Sequence, residues 1–82
     1  MRRHPETIWR AAPGFVALAR PGGEILTVTG PAAGLWELLE QGTTPAEAAE
    51  VLAGRHGATV DVVLADLEPL WDRLRAEGLL DG

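Results

Sequence analysis

Eighty-two residues make one small domain, with no room for a second hydrophobic core. The chain contains no Cys, Ser, Lys, Asn or Tyr and only two His, His4 and His56, which excludes disulfides, thiolate and lysine chemistry and ordinary zinc sites. Seven Arg face twelve acidic residues for a net charge of −5, a balance that repels phosphate backbones and anionic membranes.

No apolar run approaches the ~18 residues of a membrane span, and Met1 to Arg10 lacks the continuous apolar stretch of a signal peptide, so a cytoplasmic protein is expected. Residues 1–13 hold Pro5, Pro13 and one apolar pair, Ile8-Trp9; the expectation is a short strand or a segment lying against the domain. Phe15 to Arg20 and Glu24 to Thr29 are rich in β-formers and flank Pro21-Gly22-Gly23, which predicts a hairpin. With period 2, Val16 and Leu18 share one face of the first run and Leu26 and Val28 one face of the second. Ile25, Thr27 and Thr29 point the opposite way, so one face is free to be core.

From Thr29-Gly30-Pro31 the period becomes 3.6, and a cap followed by Pro predicts a helix with Leu35, Trp36, Leu38 and Leu39 as its stripe and Gly42 past its end. Thr44-Pro45-Ala46-Glu47 is a capping box that predicts a second helix to about Arg55. That helix buries Ala48, Ala49 and either Val51 or Leu52, and stops at His56-Gly57. Asp61 is expected to cap a third helix running to Glu77 before Gly78. Its core stripe is Val63, Leu67, Leu70 and Leu74, with Leu64 and Trp71 on one flank beside Glu68 and Arg75. Pro69 inside this helix removes an amide and frees the carbonyl of Ala65, which predicts a kink or a bound water.

Two or three N-terminal antiparallel strands followed by three helices define an α+β fold, winged helix-turn-helix-like, over a single domain of residues 1–82. From Phe15 to Leu80 the chain resembles the PqqD-like family, also called RiPP recognition elements. The resemblance rests on the hairpin, Ala33-Gly34-Leu35-Trp36-Glu37-Leu38-Leu39, the turn at Gly42 to Pro45, Glu47-Ala48-Ala49 before Leu52, and a closing stretch. That stretch is Asp66-Leu67, Leu70-Trp71, Leu74 and Gly78-Leu79-Leu80. The chain departs from the family in Val28-Thr29-Gly30, where many members end the last strand with Leu-Asn, and in Pro69.

The resemblance implies a domain, standing alone rather than fused, that binds the leader peptide of a ribosomally made precursor and presents it to a modifying enzyme such as a leader peptidase, cyclase or radical enzyme. In the family the leader adds as a strand to the open edge of the last strand and lies beside the third helix, a β-augmentation. Carried over, the edge is Glu24, Ile25, Leu26, Thr27, Val28 and Thr29, and the groove wall is Leu64, Glu68, Trp71 and Arg75, with Leu67 shared between groove and core. Read from the residues alone, Trp71 and Leu64 equally complete a small core.

No catalytic, metal or cofactor site is expected, because the two His lack further ligands and the carboxylates fit exposed helical faces. DNA binding would need a basic reading surface, whereas the second helix carries Glu47 and Glu50 against Arg55. In the third, Asp61, Asp66, Glu68, Asp72 and Glu77 outnumber Arg73 and Arg75. A protein-protein module pairing through the same edge, as monomer or homodimer, is the alternative.

Overall fold

The structure is a computed structural model that describes residues 1–81. Five strands and three helices follow in the order β1 (Arg2–Arg3), β2 (Ile8–Ala12), β3 (Phe15–Ala19), β4 (Leu26–Thr29), α1 (Pro31–Leu38), α2 (Pro45–His56), α3 (Val60–Ala76) and β5 (Leu80–Asp81). β2, β3 and β4 form an antiparallel meander in that spatial order, and β1 pairs separately with β5. This is the expected α+β architecture, with the sheet ahead of the helices in sequence.

The β2–β3 turn is Pro13-Gly14, with Gly14 at φ 81°, the conformation a Pro-Gly pair adopts in a type II turn. A two-residue loop makes its closing pair, Ala12 and Phe15, a hydrogen-bonded one, and the alternation follows along the ladder. Phe15, Ala17 and Ala19 therefore turn their amides and carbonyls toward β2, and Val16 and Leu18 turn theirs toward Val28 and Leu26 of β4. Two sets of main-chain groups are left pointing off the sheet: Thr27 and Thr29 on the β4 edge, and Trp9 and Ala11 on the β2 edge. Neither edge has a further strand partner among the described residues.

The inner face of the sheet carries Val16, Leu18 and Val28 into a core completed by Leu35, Trp36 and Leu39, by Ala48, Ala49, Leu52 and Ala53, and by Val63, Leu67, Trp71 and Leu74. The outer-face positions Ile25, Thr27 and Thr29 are exposed, as period 2 requires. Gly30 joins β4 to α1 in one residue at φ 58° and ψ −134°, a conformation open to glycine and strained for any side chain, and Pro31 occupies the first helical position.

Three expected boundaries move. β4 begins at Leu26, so Glu24 and Ile25 belong to the loop before it rather than to the edge. α1 stops at Leu38, short of Gly42, because Arg3 and Glu40 take up its terminal carbonyls: Glu40 N–H donates to Glu37 and Arg3 to Trp36. α3 is capped by Thr59, whose hydroxyl accepts from Val62 N–H at 3.3 Å, and Asp61 lies in its first turn. The start of α2 is as expected, with Thr44 Oγ1 accepting from Glu47 N–H at 3.2 Å, although the Glu47 carboxylate receives the Thr44 hydroxyl rather than its amide. α3 continues through Pro69, which sits on the exposed side, so the carbonyl released at Ala65 faces water.

Among the described residues no helix is long and apolar enough to cross a membrane.

Candidate functional site

The β4 edge is short and built from alternating roles. Val28 is buried and Leu26 half-buried on the inner face, while Thr27 and Thr29 offer their main-chain donors and acceptors outward. At its start, the loop from Arg20 to Ile25 is tied to the C-terminal end of α3 by two contacts. Arg20 Nη1 donates to the carbonyl of Gly78 at 2.9 Å, and Arg73 Nη2 lies 3.6 Å from Glu24 Oε2.

The second contact orients the helix. Arg73 shares a stripe with Leu70, Asp66 and Val62, spaced three and four residues apart. That stripe therefore faces the loop that enters β4, on the side of α3 away from Pro45. Leu70 is half-buried against the core, and Val62 is 53% exposed.

Leu64, Glu68 and Arg75, by contrast, lie on the opposite flank of α3. With Pro45, Trp71 and Asp72 they line a hollow of about 280 Å³ against the start of α2. Arg75 stacks 5.9 Å from the Trp71 ring, with its Nη1 3.6 Å from Asp72 Oδ1. Trp71 itself is only 3% exposed and belongs to the core, as does Leu67. The two halves of the expected groove are thus not brought together: Leu26, Thr27, Val28 and Thr29 stand at one side of α3, and the expected wall of Leu64, Glu68, Trp71 and Arg75 faces the other. Helical periodicity identifies which residues share a stripe but not which neighbour a stripe meets. The charge complement of Glu24 and Arg73 was the one sequence signal for the flank that faces the loop into β4.

A second arrangement escaped the sequence reading. Trp9 and Trp36 meet edge to face with ring centroids 6.5 Å apart, and the Arg3 guanidinium lies 4.6 and 4.7 Å from their centroids. Arg3 also donates through Nε at 2.9 Å and Nη2 at 2.6 Å to the carbonyl of Trp36. Burial lowers the Arg3 pKa from its ordinary value, against the opposing pull of Glu40 and Glu37. The turn sequence Pro13-Gly14 was the available signal that the preceding residues form a strand.

An open strand edge beside an amphipathic helix, on an α+β domain this small, is an arrangement to which a further polypeptide strand can add. The family model for Coenzyme PQQ synthesis protein D (PqqD) matches residues 14–80, and the chain belongs to that family. A solved structure described as TbiB1 in complex with the TbiA(beta) leader peptide is similar in fold, with a TM-score of 0.84 at 22% sequence identity, covering 100% of this chain and 96% of that one. No curated protein matches the chain.

Proposed function

We propose that this protein binds the leader segment of a ribosomally made precursor peptide and holds it for a separate modifying enzyme. The observation that carries the reading is the β4 edge, which has no strand partner among the described residues, where Thr27 and Thr29 turn their main-chain groups outward and whose entry loop meets the Val62, Asp66, Leu70 and Arg73 flank of α3 at Glu24. Family membership and the leader peptide bound by the structural relative TbiB1 support the same reading.

The leader adds as a fourth strand to Leu26–Thr29. Main-chain hydrogen bonds contribute affinity that is largely independent of sequence. Alternate leader side chains enter between β4 and α3, where Leu26 and Leu70 are apolar and Asp66 is acidic, and these contribute selectivity. The Glu24–Arg73 pair closes one end of the groove. The protein acts as a carrier rather than a catalyst, raising the effective concentration of the precursor at the enzyme.

Calorimetric titration with the leader segment of a precursor-like reading frame encoded beside this gene tests the proposal. A saturable one-to-one isotherm at micromolar or tighter affinity, about −8 kcal/mol, is expected. No binding by the folded protein would overturn it.

A further inference from the structure

The meander has two open edges, and leader binding uses only one. β2 is the other. All five of its residues are exposed, and it contains no Pro, Lys or bulge of the kind that blunts a free edge. Its inner-face residues Trp9 and Ala11 border a hollow of about 350 Å³ that Arg3, Trp36, Glu37 and Glu40 also line.

Three features of this hollow call for an occupant. Trp9 and Ala11 direct their main-chain N–H and C=O groups off the sheet, with no partner among the described residues. The Trp36 indole N–H is buried without an acceptor among the described residues, although the side chain is only 2% exposed. Glu40 has no ion-pair partner among them, while Glu37 has one exposed partner, Arg55, at 3.7 Å. Arg3 also lines the hollow and is drawn toward Glu40 and Glu37, but its hydrogen bonds go to the Trp36 carbonyl and its guanidinium lies over the two indoles, so it makes no direct ion pair with Glu40.

We infer that the β2 edge and the α1 hollow form a second strand-docking groove for an extended segment of a partner protein, one that carries an aliphatic and a basic side chain on the same face. The strand pairs with Trp9 and Ala11, its aliphatic side chain enters the part of the hollow lined by Ala11, Val16 and Ala33, clear of the Arg3 guanidinium between the two indoles, and its cation meets Glu40. A second copy of this chain is a poor occupant in the register that sets Trp9 opposite Ala11. Antiparallel pairing of β2 with itself across Trp9 and Ala11 sets Arg10 directly opposite Arg10, and like charges in that position are unfavourable. The groove lies at the far edge of the sheet from β4, so the domain holds two polypeptides at once, and the inference does not depend on the leader reading.

The test uses the full chain, labelled with ¹⁵N, and the blocked peptide acetyl-Thr-Leu-Thr-Arg-Thr-Leu-Thr-amide, which places Leu, Arg and Leu on one strand face. Saturable shifts are expected at the Trp9 and Ala11 amides and at the Trp36 indole N–H, with the Thr27 and Thr29 amides unmoved. The same peptide with Glu in place of Arg should bind at least tenfold more weakly. Ala11→Pro removes an outward amide and should reduce binding at least tenfold. Glu40→Gln, on an exposed helix-end residue, should reduce it several-fold in a protein with unchanged melting.

No binding up to millimolar peptide, shifts confined to the β4 edge, or equal binding of the acidic peptide would overturn the inference. So would a stable dimer of the protein alone that masks Trp9 and Ala11. Failure of the leader titration alongside shifts at β2 would remove the proposed function and leave the second groove standing.

Discussion

Arg73 crosses from α3 to Glu24 at the entrance to β4, with Nη2 3.6 Å from Oε2, while Arg75 two residues on points to the other side of the helix and stacks on Trp71. The Arg73–Glu24 and Arg75–Asp72 ion pairs are exposed, and each contributes little to stability. Their value is directional, because they divide α3 into a flank that faces the loop into β4 and a flank that does not.

The division is testable with one charge on each flank. Val62 and Leu64 are both exposed on α3, at 53% and 38%. Val62→Asp should weaken leader binding about tenfold, or ~1.4 kcal/mol, whereas Leu64→Asp should leave it within about twofold. Calorimetry on the two proteins, matched for melting temperature, reads the difference, and the reverse ranking would move the groove to the Pro45 side.

Main-chain direction along β4 gives a second contrast. Thr27→Pro removes an amide that points off the sheet, so the domain should stay folded while leader affinity falls about tenfold. Val28→Pro removes an amide engaged with Val16 and should destabilise the domain itself by about 3 kcal/mol. Circular dichroism melts beside the binding isotherms separate the two, and a folded Thr27→Pro protein with full affinity would contradict strand addition at this edge.

Gly34 in α1 faces Leu52 in α2, and a Cβ built on Gly34 would lie 2.6 Å from Leu52 Cδ2. Gly34→Ala should therefore destabilise by about 1 kcal/mol net, overpacking outweighing the gain in helix propensity. Leu52→Ala should cost about 3 kcal/mol by opening a cavity. Combined, the two should cost at least ~1 kcal/mol less than their sum, since Leu52→Ala makes room for the new methyl group. Urea denaturation of the four proteins in the cycle measures the coupling.

The start and middle of α3 predict opposite signs. Thr59→Ala should cost about 1 kcal/mol through the lost cap, and Asp61→Ala only a few tenths through the helix dipole. Pro69→Ala should stabilise by about 2 kcal/mol, because it restores a donor to the Ala65 carbonyl on the exposed side of the helix. Thermal melts of the three variants give the order directly.

Much of the fold was legible because its signals are local. Thr44-Pro45-Ala46-Glu47 announces a helix within four residues, and the alternation of Val16, Leu18, Leu26 and Val28 states which side of the hairpin is inside. The cap of α3 was misplaced by two residues because Thr59 and Asp61 both carry a capping oxygen, and only the packing of Val63 against the core decides between them. β2 carried no alternation to read, since both its faces are exposed, and only Pro13-Gly14 marked its end. The identity of the groove wall was beyond any local pattern: it depends on how α2 and the sheet divide the two sides of α3, which is a matter of tertiary packing.

The β1–β5 ladder joins Arg2 and Arg3 to Asp81 and Leu80, closing a loop of almost the whole described chain for two residue pairs. Loop-closure entropy rises with the length enclosed, so this ladder costs more to close than the β2–β3 turn, which closes over two residues. Arg3 rides on that ladder, and it is the side chain that fills the space between Trp9 and Trp36. Local opening at the paired ends therefore withdraws a guanidinium from two indoles, and the β2 side of the molecule becomes the part whose shape answers to a transient excursion long before the core unfolds.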